Sequence, residues 1–123
     1  MPIIDVQIVG EIEVPSRAKM TQIIADRVGG ILKARVGGTW VRLHFFPADC
    51  YAESGNVPSE VMPVFVSVLT GKRVEIDDRS RIALELASAI SEITSRPEEN
   101  IHIVFEPEAV GRIAFGGKLV RSY

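Results

Sequence analysis

Cysteine is nearly absent from this chain: Cys50 is its single cysteine, so no disulfide can form within it. The same scarcity excludes a CxxC pair and the usual spacing of metal ligands, and we expect no metal site. No apolar run approaches the roughly 20 residues that a transmembrane helix needs. With 14 basic and 16 acidic residues, the net charge of −2 offers no positive footprint for nucleic acid or an anionic membrane. The start of the chain lacks a signal-peptide pattern, which makes a cytoplasmic location the expected one.

The chain does have enough apolar material for one core, and this material is arranged in two similar halves. Its 123 residues and 46% hydrophobic content are typical of a single globular domain, which we expect to span residues 1–123. Two short β-branched segments, Pro2–Val9 and Pro63–Leu69, are each followed by a polar turn, a helical stretch and a second strand. The second strands both end in proline, at Trp40–Pro47 and Asn100–Pro107. The layout predicts an internal duplication, with repeat one at about 1–61 and repeat two at about 62–123.

Each repeat carries one stretch with helical periodicity. The apolar stripes are Met20, Ile23, Ile24, Val28, Ile31 and Leu32 in the first repeat, and Ile82, Leu86, Ala89, Ile90 and Ile93 in the second. Ser16 is the predicted N-cap of the first helix, and Asp77 or Asp78 that of the second. The Gly29-Gly30 pair inside the first helix indicates close packing there.

Two β-α-β units predict a two-layer α/β sandwich. Each right-handed crossover makes its own two strands parallel, and the four strands form one sheet with both helices on one face. Along the strand at 40–46, the side chains of Trp40, Arg42, His44 and Phe46 alternate onto the face away from the helices. This mixture of aromatic and charged residues is typical of a wet interface, so we expect that face to meet another copy of the chain. The glycine-rich tail predicts a short hairpin or an added edge strand.

Pro2 is the most informative single position. Removal of Met1, which the small Pro2 side chain permits, would leave a secondary amine at the start of a strand. Such an amine, partly buried and near positive charge, has a lowered pKa and can act as a general base. The alternative is that Pro2 merely begins an edge strand, where its missing N–H does no harm.

The chain resembles the tautomerase superfamily, which includes 4-oxalocrotonate tautomerase and macrophage migration inhibitory factor. The resemblance rests on the proline at position two, on the duplication, and on three stretches: Leu43–Pro47, Leu69–Arg73 and Gly111–Leu119. It implies a homotrimer of β-α-β repeats and a cofactor-free tautomerase or isomerase that acts on a small carboxylate. The substrate would be an enolisable α-keto or unsaturated acid.

The resemblance also implies roles for particular residues. Pro2 would be the general base, and Arg73 would hold the substrate carboxylate. Arg42 would polarise a carbonyl or bind a second carboxylate, either within its own subunit or across a subunit boundary. Lys72 is the reserve for Arg73. The other implied substrate-binding residues are His102, where this chain departs from a tyrosine of the migration-inhibitory-factor branch, and the apolar wall residues Ile113 and Phe115. Arg35 lies near a basic pocket residue of that branch.

Two other functions remain open at this stage. A dehalogenase or hydratase would add water to an unsaturated acid, and it would need a carboxylate such as Glu106 or Glu108 opposite Pro2. A non-catalytic trimeric binding or signalling protein is the third alternative. It would follow if Met1 is retained, because the Pro2 nitrogen is then a tertiary amide and cannot be a base.

Overall fold

A computed structural model describes residues 2–55 and 61–122; Met1, on which the base at Pro2 depends, and part of the connector between the repeats lie outside these ranges. The first repeat contains β1 (Ile3–Val9), α1 (Arg17–Ile31) and β2 (Trp40–Phe46). The second contains β3 (Val64–Leu69), α2 (Ile76–Thr94) and β4 (Ile101–Phe105). Two-residue strands β5 (Ala114–Phe115) and β6 (Lys118–Leu119) follow, and single 3-10 turns occur at Ala48–Cys50 and Glu98–Asn100.

The four long strands form one sheet, as the duplication predicts, and their order is β2-β1-β3-β4. Strands β1 and β2 are parallel, and so are β3 and β4, while the central pair β1 and β3 is antiparallel. The first residue of β1, Ile3, therefore lies between Trp40 at the start of β2 and Leu69 at the end of β3. This register brings the beginning of the first repeat beside the end of β3 in the second.

The core lies between the sheet and the two helices. It contains the buried residues Ile4, Val6, Ile8, Met20, Ile24, Val28, Val64, Val66, Val68, Ile82, Leu86, Ile90 and Ile101. The second predicted helical stripe is confirmed, but Ile23 of the first is 49% exposed because it lies one residue, or about 100°, off the Ile24 row. Gly29 is indeed closely packed, since an added Cβ would lie 3.0 Å from Thr39 Oγ1, whereas Gly30 faces open space.

The predicted cap of the first helix is confirmed and that of the second is wrong. The Ser16 hydroxyl accepts a hydrogen bond from the Lys19 amide at 3.1 Å. Helix α2 has Glu75 as its N-cap, and the Glu75 side chain makes no capping hydrogen bond. Asp77 and Asp78 lie inside the first turn instead, where carboxylates interact favourably with the positive end of the helix dipole.

The face of the sheet away from the helices carries the predicted polar and aromatic residues. Arg42 donates two hydrogen bonds to the Asp5 carboxylate on β1, at 2.6 and 2.8 Å. Trp40 and Val104 on this face are about half exposed. We call this surface the open face.

The tail forms the predicted hairpin, in which β5 pairs antiparallel with β6. Gly116 and Gly117 between the two strands have φ values of +57° and +84°. Two consecutive positive φ angles are typical of the type I′ turn, one of the two common two-residue hairpin turns, and glycine adopts them without a steric penalty. Among the described residues, no helix is long and apolar enough to cross a bilayer.

Candidate active site

The register of the central strands brings Pro2 to the turn that carries Arg73. The last paired row is Ile3 with Leu69, so Pro2 lies beside the residues that follow Leu69. Pro2 is buried, and its carbonyl oxygen accepts a hydrogen bond from the Trp40 amide at 3.0 Å. The carbonyl group of Pro2 is thus held by β2, one residue before the pairing of β1 with β3 begins.

A cavity of about 640 Å³ opens at Pro2, between the end of α1 and the beginning of α2. Its volume is within the range of small-molecule sites. Three parts of the chain line it: Pro2 itself, the loop after α1, and the β3–α2 turn with the first two turns of α2. The lining residues are Pro2, Leu32, Lys33, Ala34, Arg35, Thr70, Gly71, Lys72, Arg73, Val74, Glu75, Asp78, Arg81 and Ile82.

The lining of this cavity is strongly cationic. It contains five basic and two acidic side chains, although the whole chain has a net charge of −2. Arg81 is already neutralised by Asp78 at 3.6 Å and Glu85 at 3.3 Å. Within residues 2–55 and 61–122, the other four basic side chains form no ion pair; they are Lys33, Arg35, Lys72 and Arg73. Unpaired cations around a partly apolar cavity favour an anionic ligand.

Internal hydrogen bonds hold the turn that carries two of these cations. The Thr70 hydroxyl donates to the Lys72 carbonyl oxygen at 2.9 Å. At the far end of the turn, Arg79 Nε donates to the Val74 carbonyl oxygen at 2.7 Å. These bonds shape the backbone and leave the side chains of Lys72 and Arg73 available to a ligand.

The structure brings Pro2, Arg73 and Lys72 together, as the sequence predicts, but it places Arg42 elsewhere. Arg42 lies on the open face, where its hydrogen bonds and its Coulombic attraction to Asp5 raise the pKa of its guanidinium. Asp5 belongs to the same chain. Within one chain Arg42 does not reach the Pro2 cavity, so its catalytic role stays a prediction.

The other three predicted substrate-binding residues also lie outside the Pro2 cavity of their own chain. His102 is exposed on β4, with its ring centroid 5.4 Å from that of Phe65. Ile113 and Phe115 belong to the tail hairpin, and Phe115 packs edge-on against Trp40 at 5.4 Å. Only a neighbouring subunit could bring these side chains to a Pro2 site.

Lys33 is a basic lining residue, without an ion pair among the described residues, that was not predicted from the sequence. It follows directly after α1 and has a left-handed φ of +54°, which turns the chain back toward β2. The signal was available in the topology: β2 runs parallel to β1, so the loop before β2 must return to the edge where β1 starts. Basic residues in that loop therefore lie close to Pro2.

A smaller hollow of about 260 Å³ adjoins the cavity and shares Thr70, Arg73 and Val74 with it. Glu106 and Glu108 line this second hollow and do not line the first. Glu106 accepts a hydrogen bond from Ser67 at 2.8 Å, and Glu108 lies 3.7 Å from Arg112. Arg73 therefore stands between Pro2 and the two carboxylates.

No protein-family model and no curated protein sequence matches the chain, but solved structures match its fold. A fused 4-OT in its symmetric trimer is 14% identical with a TM-score of 0.79, covering 96% of this chain and 94% of that one. The macrophage migration inhibitory factor of Oncomelania hupensis is 20% identical with a TM-score of 0.74, covering 98% and 84%. Pt0534, in a structure inactivated by 2-oxo-3-pentynoate, is 16% identical with a TM-score of 0.77, covering 96% and 94%.

These matches confirm the predicted α+β fold, which this chain shares with fused 4-OT and with a macrophage migration inhibitory factor. The similar structures cover nearly the whole chain, including both repeats. At identities of 14–20% the likeness is one of fold. Because one fold hosts many reactions, the reaction must be inferred from the residues of the cavity.

Proposed function

We propose that the protein is a cofactor-independent tautomerase or isomerase of an enolisable α-keto or unsaturated carboxylate, with Pro2 as the general base after Met1 is removed. The observation that carries this proposal is the position of Pro2 in a cavity with four basic side chains that form no ion pair within the described parts of the chain. The same positive charges would lower the pKa of an amine that acts as a base and would attract an anionic substrate.

Arg73 is the group best suited to hold the substrate carboxylate. A guanidinium can donate two parallel hydrogen bonds to a carboxylate, and the same charge stabilises the enolate that forms when a proton leaves the adjacent carbon. Pro2 takes that proton and returns it to another carbon or to the enolate oxygen. Lys72 supplies a second positive charge next to Arg73, and Lys33 and Arg35 supply two more across the cavity.

The same cations should lower the pKa of the Pro2 amine. An ordinary α-amino group titrates at about 7.7–8.0. Nearby positive charge and partial burial both disfavour the ammonium form, so they lower the pKa of the Pro2 amine. A larger fraction of the amine is then neutral at pH 7, and only the neutral amine can accept a proton.

The test is turnover by Pro2→Ala on the enol form of an α-keto acid, followed by its ultraviolet absorbance. Intact-mass measurement must first verify that Met1 is absent. We expect kcat to fall by roughly 10²–10⁴-fold with a much smaller change in KM. Pro15→Ala, which changes an exposed proline outside the cavity, is the matched control and should leave kcat unchanged.

Unchanged turnover in Pro2→Ala would remove Pro2 from the reaction. Retention of Met1 on protein from its natural host would favour the non-catalytic trimeric protein instead, because the Pro2 nitrogen would then be an amide.

Water addition, as in a dehalogenase or hydratase, is the second candidate function. The supporting observation is that Arg73 lines both the Pro2 cavity and the hollow with Glu106 and Glu108. A carboxylate there could activate a water while Arg73 holds the acid. Release of halide from halo-acids by wild-type protein, lost in Glu106→Gln or Glu108→Gln, would favour this reaction over isomerisation.

We also propose that the protein is a cytoplasmic homotrimer whose open faces meet. The support is the half-exposed Trp40 and Val104 on the open face, together with the trimeric state of the similar fused 4-OT. A neighbouring subunit would then be the source of any contribution from Arg42, His102 or Ile113. Sedimentation equilibrium should give three chain masses, and Val104→Lys should shift the mass toward one chain.

A further inference from the structure

One segment of the chain, residues 107–120, contacts two parts of the structure that surround Pro2. These are the turn that carries Lys72 and Arg73, and the start of β2, which is bonded to Pro2. It leaves β4 at one edge of the sheet and reaches β2 at the other. We call it the tail segment. None of its residues lines the cavity that contains Pro2.

The first contact is with the turn that carries Lys72 and Arg73. The Ala109 amide donates to the Thr70 carbonyl oxygen at 2.9 Å, and the Val110 amide donates to the Gly71 carbonyl oxygen at 3.1 Å. Ala109 is fully buried. The backbone that leads into Lys72 is therefore held by the tail segment.

The second contact is with the strand that holds Pro2. The ring of Phe115 meets the ring of Trp40 edge-on, at 5.4 Å between centroids and 81° between planes. The amide of the same Trp40 donates to the Pro2 carbonyl oxygen at 3.0 Å. Since edge-to-face aromatic pairs have a preferred geometry, this contact fixes the hairpin relative to Trp40.

Both contacts act where the sheet can no longer position the site. The pairing of β1 with β3 ends at Ile3 and Leu69. Pro2 and the turn at 70–73 lie beyond that last pair, so the ladder does not set the distance between the Pro2 nitrogen and the cations. The tail segment contacts both sides of this gap, through Thr70 and Gly71 on the turn and through Trp40 beside Pro2.

We propose that Trp40 and Phe115 are positioning residues for the Pro2 site, an inference that rests on the proposed function. Their contact completes a path that runs from Pro2 through Trp40, Phe115 and Ala109 to the Arg73 turn. It holds the amine close to the cations and thereby keeps the pKa of the amine low. Neither ring lines the Pro2 cavity of its own chain.

The test compares wild type with Phe115→Ala, Phe115→Leu, Phe115→Tyr and the control Leu119→Ala. Leu119 lies in the same hairpin and is half exposed, but it makes no aromatic contact with Trp40. Because small displacements in an active site cost up to about a hundredfold in rate, we expect Phe115→Ala to lose about 10- to 100-fold in kcat/KM at pH 7. The acid limb of its pH profile should move to higher pH, and kcat should fall more than KM rises.

The conservative variants separate this role from the apolar wall that the sequence suggests for Phe115. Phe115→Tyr keeps the ring and should restore both rate and pH profile, whereas Phe115→Leu keeps an apolar side chain without the ring and should not. A wall residue would change KM and leave the acid limb in place. The double variant Trp40→Ala/Phe115→Ala should lose no more kcat/KM than either single variant, because both changes remove the same contact between the two rings.

The pH dependence of Pro2 alkylation by 2-oxo-3-pentynoate, followed by mass, gives the same information without turnover. The inference fails, while the proposed function stands, if Pro2 reacts in wild type and Phe115→Leu has the same pH dependence. If Pro2 in mass-verified des-Met protein does not react at all, the proposed function fails and the inference fails with it.

Discussion

Arg73→Ala is expected to separate ligand binding from folding with unusual clarity. Arg73 is exposed, and within the described parts of the chain its side chain has no ion-pair partner. Its removal leaves no buried acceptor unpaired, so the free energy of unfolding should barely change. The loss should fall on the substrate instead.

The size of that loss follows from the hydrogen bonds that a guanidinium makes to a carboxylate. A hydrogen bond to a charged group contributes about 1.5–3 kcal/mol, and each 1.36 kcal/mol corresponds to tenfold in rate. Loss of one such interaction therefore predicts a fall of about 10- to 150-fold in kcat/KM. Arg73→Lys keeps the charge but loses the planar fork, and its activity should be intermediate.

The pH profile gives this prediction a second readout. Removing one cation raises the pKa of the Pro2 amine, so the neutral base is lost below a higher pH. The variant should lose activity at pH 7 and recover part of it as the pH rises. The assay is the ultraviolet decay of the enol of an α-keto acid between pH 5 and 9.

Arg27→Ala is the matched control, because Arg27 is also exposed but pairs with Glu92 at 2.9 Å, away from the cavity. Its kcat/KM should equal that of wild type. Equal activity of Arg73→Ala and wild type, or an equal loss in both variants, would refute the assignment of Arg73.

Other predictions concern stability. Arg96 is 8% exposed, and its guanidinium donates to the carbonyl oxygens of Val9 at 3.0 Å and Met62 at 2.5 Å. Because Arg96→Leu would leave both acceptors unpaired, it should lower the free energy of unfolding, measured in urea, by roughly 2–5 kcal/mol. A loss below about 1 kcal/mol would contradict this. Gly30→Ala should stabilise the protein by up to about 1 kcal/mol, since its Cβ meets nothing within 4 Å. Gly29→Ala should fail to gain as much, because its Cβ would crowd Thr39 Oγ1; equal gains in the two variants would show that Thr39 yields freely.

The sequence predicted the architecture well because periodicity and strand endings are local signals that repeat in both halves. Alternation from Trp40 to Phe46 gave the two faces of β2 correctly, and the parallel pairs followed from chain topology. The cap of α2 was harder to predict than that of α1, because Glu75, Asp77 and Asp78 are all acceptable near a helix start and only the backbone path selects among them.

The candidate site was predicted only in part, because some of its contacts join segments that are far apart in the sequence. Pro2 and Arg73 were connected by the family resemblance, and the antiparallel pairing of β1 with β3 brings them to one cavity. Lys33 required the direction of the loop after α1, and the contact of Phe115 with Trp40 required the path of the tail across the sheet. Such contacts between distant segments leave no periodic trace in the sequence.

The central claim is that the Pro2 nitrogen is an amine with a lowered pKa. A pH titration by nitrogen NMR of des-Met protein labelled at proline measures it directly, since only one of the seven prolines would be an amine. The account predicts a single titration clearly below the ordinary range of about 7.7–8.0, moving upward in Arg73→Ala. A titration within or above that range, unmoved by Arg73→Ala, would contradict it.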